Sequence, residues 1–411
     1  MQQSKIINAI DVGSSKITVL VGQYFPSEDK TNIVAVVSEN ALGFRKGQII
    51  NLEQAIDTLT KSIESAERMA GMSINSAHVS ISAPHIESIN SQGVVAISHP
   101  QNEITTTDVD RAIEAAQAVT LPAGKEIMHV IPRKFMVDGQ DGIVDPINMT
   151  GIRLEVETHI IFGSTPAIKN LKRCLDQIGI KPQTLNYSGI PTALTSLTDT
   201  EKELGVALVD IGGQTTTLTI FDQTSPAYSS VIPVGGNNIT NDLAIGLRLS
   251  IEEAEKLKIY LDKIDDKGFT DEIDLEQKQI SSTKRKISIQ TAVNGIIKPR
   301  LEEIFGLVKQ KIEESHLLDT IPAGIVLTGG GSLTVGSIDI ASKILNLPIR
   351  IASPQNIGGL SEDISNPMFT SAIGLLFYGI NNSDSGSKPK KTQNIPNILD
   401  KIKSLIEPLL P

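Results

Sequence analysis

Apolar positions at the start of the chain form two runs separated by a polar turn. KIINAIDVG (5–13) and KITVLVG (16–22) carry the residues of two short strands, and Gly13-Ser14-Ser15 makes a tight turn between them. Residues 33–38 (IVAVVS) read as a third strand. From 52 to 70 the period changes: Leu52, Ile56, Leu59, Ile63, Ala66, Met69 and Ala70 recur at helical spacing. HVSISA (78–83) is a strand again. This β-β-β-α-β order predicts a mixed sheet backed by helices.

The pattern then shifts. Residues 84–162 hold a helix at 107–119, opened by Thr107 as N-cap with acids in its first turn, and several short strands, including HVIPRKFMV and LEVETHIIF. They read as an inserted small subdomain. A helix at 166–178 follows Thr165-Pro166. At 205–221 (GVALVDIGGQTTTLTIF) the opening arrangement returns as strand, Asp-x-Gly turn and strand, which points to duplication of a half-domain. Amphipathic helices are expected at 250–262 and 289–315, with polar surface loops between them. GIVLTGGGS (324–332) is an apolar strand ending in a glycine turn. Residues 381–394 (NNSDSGSKPKKTQN) read as a flexible linker, followed by a separate amphipathic element.

Composition narrows the picture. At 411 residues the chain is too long for one core, and two or more packed units are expected. A net charge of −10 argues against a general nucleic-acid binder, which needs cations to displace counterions from phosphates. One cysteine, Cys174, cannot form an internal disulfide, which suits a reducing compartment. The N-terminus lacks a basic region followed by a long apolar stretch, so no signal peptide is expected. No run approaches the roughly 20 apolar residues that span a bilayer. These features predict a cytoplasmic protein that meets membranes only at their surface.

Asp11-Val12-Gly13-Ser14-Ser15-Lys16 has the makings of an anion site. Gly13 allows close backbone approach, Ser14 and Ser15 leave donors open, and Lys16 adds positive charge. A carboxylate here calls for a cation, and Asp11 beside phosphates is the arrangement Mg²⁺ takes, usually through water. Asp210-Ile211-Gly212-Gly213-Gln214-Thr215 repeats the layout. Either segment alone reads equally well as a plain β-turn; two copies, each between apolar strands, favour a phosphate clamp. Neither fits a P-loop or a dinucleotide fingerprint. Gly329-Gly330-Gly331-Ser332 offers a flat backbone for a nucleobase, or a simple strand-to-helix connection. Gly235-Gly236-Asn237 is a weaker signal of the same kind. Glu255 and Lys258, three apart on one helix, can grip a ribose and base edge or form a solvated face.

Together these residues resemble the actin, chaperone and sugar-kinase ATPase superfamily, and within it the FtsA family of bacterial cell-division actin homologues. The resemblance rests on AIDVGSSKI (9–17), residues 129–161, ELGVALVDIGGQTTTLTIF (203–221), AGIVLTGGGS (323–332) and TSAIGLLFYG (370–379). It implies an α/β actin-like fold built by duplication. Lobe 1 (1A) would be 1–83 and 163–200, with a 1C-type insert at 84–162. Lobe 2 (2A) would be 201–242 and 319–380, with subdomain 2B at 243–318. A linker at 381–394 and a membrane-targeting helix at 395–411 would follow. The resemblance further implies ATP with Mg²⁺ in the cleft, self-assembly into filaments, other division-protein partners, and a place at the division site on the cytoplasmic face of the inner membrane. It also implies binding of the acidic tail of the tubulin homologue FtsZ on 2B, where Arg285, Lys286 and Arg300 are the candidate cations.

Three departures stand out. Gln214 replaces the family's third glycine and Thr217 its final aspartate in the second loop. Ile190 stands where chaperone-like relatives carry a water-orienting Glu, and isoleucine cannot act as a base. ATP binding with slow or negligible hydrolysis is therefore expected. Near the C-terminus, Asn397 can cap a helix whose one face carries Ile398, Leu399, Ile402, Leu405, Ile406 and Leu409, preceded by Lys388, Lys390 and Lys391. That face suits a membrane surface or docking onto protein. Two other functions share the fold: a pilus- or shell-assembly adaptor and a small-molecule kinase, the latter without an evident base.

Overall fold

The computed structural model describes residues 4–99, 101–263, 272–282, 284–354, 358–359 and 364–383. Strands β1 (Lys5–Val12) and β2 (Lys16–Phe25) pair antiparallel around the expected turn, with Asp11 opposite Thr18. β3 (Lys30–Asn40) extends the meander, and a small ribbon, β4 (Phe44–Arg45) and β5 (Gln48–Ile49), leads into α1 (Leu52–Ala70). Helix α1 covers the predicted residues. The Asn51 side chain accepts the Gln54 N–H at its start, Gly71 ends it in the left-handed region, and Ala55, Leu59, Ile63 and Ala66 are buried. β6 (Ser76–Ile81) runs parallel to β1.

The insert follows as β7 (Glu87–Ala96), α2 (Thr106–Gln117), β8 (Lys125–Val137), β9 (Gln140–Ile143) and β10 (Arg153–Ser164). Its strands form an antiparallel sheet in the order β7-β10-β8-β9, with α2 closing a core of Ile104, Ile113, Leu154, Val156 and Ile160. The cap of α2 is Thr105, not Thr107. Thr105 and Asp108 satisfy each other's N–H groups, and Ile104 and Val109 join one cluster, so an apolar staple fixes the earlier start.

The chain returns through α3 (Thr165–Gln177) to β11 (Lys181–Tyr187), completing a sheet ordered β11-β6-β1-β2-β3. Helices α4 (Gly189–Ser196) and α5 (Asp199–Leu204) lead to the second lobe. There β12 (Val206–Ile211), β13 (Thr216–Asp222) and β14 (Ser225–Ile232) form the second meander, and Asp210 lies opposite Thr217 as Asp11 lies opposite Thr18.

Next come α6 (Gly236–Leu247), α7 (Ile251–Leu261), β15 (Glu272–Asp274), β16 (Lys286–Ser288), α8 (Ile289–Ala292) and α9 (Lys298–Glu314). The segment between the amphipathic helices, expected as surface loops, holds the β15–β16 ribbon, which buries Ile273 and Ile287 in the lobe core. The single helix expected at 289–315 is interrupted by a π turn at Val293–Ile297. Pro299 follows directly; it lacks an N–H and crowds the carbonyl four residues back, which a wider turn relieves.

β17 (Ile325–Thr328), α10 (Ser337–Leu345) and β18 (Ile349–Ile351) complete the second sheet, ordered β14-β13-β12-β17-β18. β19 (Gly358–Gly359) joins β3, and α11 (Thr370–Ser383) packs on the back of the first sheet. Residues 381–383, expected to begin the linker, finish this helix. The rest of the linker and the 395–411 element lie outside the described residues. Among the described residues no helix is long and apolar enough to cross a membrane.

Several polar contacts fasten the lobes. Tyr187, fully buried, donates its hydroxyl to Leu218 O at 2.7 Å. The insert reaches the second lobe through Ser88 Oγ to Ser229 O (2.9 Å), Asn90 Nδ2 to Ala227 O (3.0 Å) and Arg133 to Asp222 (3.0 Å). Within the second lobe Arg350 forks onto Glu201, Nε to Oε1 and Nη2 to Oε2, both at 2.6 Å, and Nη2 also reaches Ser196 O of the first lobe at 2.7 Å. The fork holds the Glu201 carboxyl down, to about 2. Its contribution is full above the unfolded value of 4.5 and fades as pH falls toward 2. Glu201→Gln should cost about 1 kcal/mol in thermal or urea unfolding at pH 7, since Arg350 is partly solvated. The gap to wild type should narrow below pH 4.5; a cost that does not change with pH would refute this role.

Candidate functional site

The two Asp-x-Gly turns close in the same way. Gly13 N–H donates to Lys16 O at 3.1 Å, and Gly212 N–H donates to Thr215 O at 2.9 Å. The strands beneath them also match. β1 pairs β6 in parallel with Asp11 beside Ser80, and β12 pairs β17 in parallel with Asp210 beside Thr328. Each carboxylate thus leaves the end of a central strand, and the two turns face each other across the lobes. Gly213 sits so close to Ser15 that any side chain at 213 would collide with it. Gln214 crosses the gap: Nε2 donates to Ser14 O at 3.2 Å and Oε1 accepts the Lys46 N–H at 2.9 Å. Deeper in, the hydroxyls of Ser82 and Thr217 lie 2.5 Å apart, and Ser82 also reaches Thr215 at 3.3 Å.

Charge is concentrated where the turns meet. Asp11 Oδ1 accepts from Ser80 Oγ at 2.6 Å and from Ser371 Oγ at 3.0 Å. Asp210 lies against Gly329, whose φ of 81° and tight contact exclude a side chain. The Lys16 ammonium is buried without a hydrogen-bond partner and rests 4.1 Å from the centre of the Phe369 ring. Burial pushes Lys16 down to about 8, against the pull of Asp11 and Asp210. Burial, then the charge of Asp11, pushes Asp210 up to about 7. Burial also raises Asp11. Ser14 Oγ is buried with no partner either.

Such a set is poised for an anion and a cation together. A phosphate chain would satisfy Lys16 and Ser14. Two carboxylates, Asp11 steadied by the Ser80 and Ser371 hydroxyls and Asp210, fit an Mg²⁺ ion that keeps most of its water. A closed protein cage is not offered, since no group of three or more His, Cys, Asp or Glu side chains occurs among the described residues.

The remaining predicted residues extend the cleft. Gly236 N–H donates to Gly212 O (2.9 Å) and Asn237 N–H to Gly213 O (2.7 Å), so these two amides brace the second turn and are not free for a ligand. A Cβ on Gly235 would strike Gly212 O. A Cβ on Gly236 would stand 3.6 Å from Gly331 Cα and 3.8 Å from Lys258 Nζ, so the 329–332 turn and α7 converge here. Gly330 lies outermost, near Met368. Ser332 Oγ turns inward and donates to Gly329 O at 2.7 Å. Glu255 and Lys258 do not form a solvated face: Lys258 is 6% exposed and donates to Thr240 Oγ1 (2.9 Å) and Glu255 Oε2 (2.7 Å). Ile190, buried in the first lobe's core, offers no base.

The three cations expected to meet a partner each have an internal contact. Arg285 donates to Arg248 O at 3.2 Å and Lys286 lies 3.8 Å from Glu272. Arg300 is committed to Asp242 and Glu303. Sequence reading did not find Lys46, Ser80, Ser82, Phe369 or Ser371. They are far along the chain from the residues they serve, and no local motif marks them.

The chain resembles known proteins over most of its length. Residues 83–162 match the family model described as the SHS2 domain inserted in FTSA, and residues 207–374 match that of cell division protein FtsA. The chain is 34% identical over 390 residues to cell division protein FtsA of Pseudomonas aeruginosa, covering 94% of this chain and 92% of that one. It is 36% identical over 384 residues to that of Bacillus subtilis, covering 93% and 85%. Among solved structures it resembles the PilM-PilN type IV pilus biogenesis complex (TM-score 0.64, 16% identity, 91% of this chain and 98% of that one). It also resembles MreB5 of Spiroplasma citri bound to AMPPNP (TM-score 0.55, 17% identity, 94% and 100%). These likenesses establish the actin-like fold.

The raised Asp210 gives a direct test of the charge cluster. Its folded value of about 7 stands above the unfolded 3.8, so the folded chain holds the proton more tightly, and this stability is lost as pH rises from 3.8 to about 7. Asp210→Asn should raise the melting temperature of the nucleotide-free protein at pH 8 by roughly 2–4 °C or more. The gain should shrink at pH 5. An equal gain at both pH values would refute the assignment.

Proposed function

Because the chain belongs to the FtsA family of cell-division proteins, we propose that it is an ATP-binding adaptor that polymerises and ties the FtsZ ring to the membrane. The observation that carries the nucleotide reading is the unpartnered Lys16 ammonium beside two half-buried carboxylates, Asp11 and Asp210, where twin turns meet. On this reading Gly13, Ser14, Ser15 and Lys16 hold one side of the phosphates, and Gly212, Gly213, Gln214 and Thr215 the other. Asp11 and Asp210 hold hydrated Mg²⁺, which would neutralise phosphate charge. Gly329, Gly330, Gly331, Gly236, Glu255 and Lys258 frame the nucleoside, with Gly235, Asn237 and Ser332 as its structural support. The bound AMPPNP of one fold relative agrees with a nucleotide in this cleft.

Hydrolysis is slow on this reading. Position 190 lacks a base, and Thr217 spends its hydroxyl on Ser82. Turnover per molecule well above roughly one per minute, abolished by Asp210→Ala, would contradict it. Nucleotide then acts as a conformational ligand.

The tubulin-like partner's acidic tail would dock on 243–318. Arg300 is already paired, so Arg285 and the exposed Lys286 carry more of that contact. The 395–411 element would lie in the membrane surface by Ile398, Leu399, Ile402, Leu405, Ile406 and Leu409. One short amphipathic helix binds weakly, so polymerisation supplies the avidity. Electron microscopy on an anionic lipid monolayer with ATP should show membrane-bound filaments, and deleting 395–411 should remove them. Binding that survives the deletion would overturn the anchor, and absence of filaments under any nucleotide would overturn the adaptor.

A further inference from the structure

Gln214 stands where the resemblance puts a glycine, and its side chain bonds the opposite lobe at two points. Nε2 donates to Ser14 O at 3.2 Å, and Oε1 accepts the Lys46 N–H at 2.9 Å. Both partners are backbone atoms, so the specificity of the contact lies entirely in residue 214. The donor and acceptor of one amide match one carbonyl and one N–H, which a glycine cannot do.

The receiving surface is fixed. Lys46 and Gly47 both have positive φ (49° and 70°) and form the tip of the β4–β5 ribbon. A side chain on Gly47 would collide with Ser82 O, so the tip is pressed against the residue whose hydroxyl meets Thr217 across the lobes at 2.5 Å. Beside it Gly213 is in contact distance of Ser15. Gln214 and Gly213 thus bring the second turn into contact with the first beside Lys16.

We propose that Gln214 is a latch. Its amide holds the two lobes together over the phosphate pocket, and ligand must break this seam to enter or leave. Residue 214 then acts as a positioning residue that sets the rate of nucleotide exchange. The exchange consequence rests on the nucleotide reading above; the closure of the lobes does not.

The test uses the full chain. Spin labels at exposed sites on each lobe, Lys61→Cys and Glu252→Cys, report lobe separation, and the native thiol, Cys174, is buried. Separation is measured without nucleotide in the otherwise wild-type chain, in Gln214→Gly and in Gln214→Glu. The glutamate variant keeps the size and the acceptor for Lys46, but sets a carboxylate oxygen against the Ser14 carbonyl. Both variants should shift the distribution to longer, broader distances, with the glutamate form guarding against a trivial effect of added glycine freedom. Dissociation of a fluorescent ADP analogue should speed up about tenfold in Gln214→Gly, as expected for losing two neutral hydrogen bonds at a partly exposed seam, and should also speed up in Gln214→Glu, which loses the bond to Ser14 and opposes two oxygens there. Identical nucleotide-free distributions in all three proteins would overturn the latch, even if exchange changed, because residue 214 would then act only as a ligand to phosphate. If the analogue does not bind at all, the nucleotide reading fails, and the distance distributions still decide the latch.

Discussion

Three charged side chains lie half-buried where the two halves of the chain meet: Asp11, Lys16 and Asp210. An ammonium without a hydrogen-bond partner, set between two carboxylates raised by burial, is costly in a protein interior. The surrounding structure holds this arrangement in place. Each carboxylate is fixed at the end of a central strand, paired antiparallel on one side and parallel on the other. Ser80 and Ser371 steady Asp11, while Gly329 opens its backbone to let Asp210 fit. A cost retained by so many supporting contacts points to a ligand that relieves it, and phosphate with a divalent cation relieves every member at once.

The same register in both lobes is the physical form of a duplicated half-domain. Yet the copies have diverged. The first turn offers Ser14 and Lys16 to a ligand, whereas the second uses its extra side chain, Gln214, to bridge back to the first. Thr217 likewise makes a cross-lobe contact where an aspartate would add a third carboxylate. The insert strengthens the joint from a different direction, through Ser88, Asn90 and the Arg133 pair with Asp222.

Much of this was legible in the residues. The helix at 52–70 follows from its stripe and caps, and both turns follow from Asp-x-Gly between apolar runs. What periodicity cannot show is which of two nearby threonines caps α2, since the staple between Ile104 and Val109 decides it. Nor does it show that Pro299 widens the preceding turn. The larger gap concerns partners distant in sequence. Ser371 meets Asp11 across 360 positions, and Lys258 turns inward because Thr240 and Glu255 wait for it. Polar residues of these types are commonplace on surfaces, and only the fold says which ones face the cleft.

The proposed clamp of a nucleotide by the twin turns over Lys16 can be seen in a crystal structure grown with Mg²⁺ and a non-hydrolysable ATP analogue. Phosphates should lie between residues 13–16 and 212–215, with the Lys16 ammonium donating to them and the metal's waters on Asp11 and Asp210. Analogue bound elsewhere, or a Lys16 that remains against Phe369 with no phosphate contact, would contradict it.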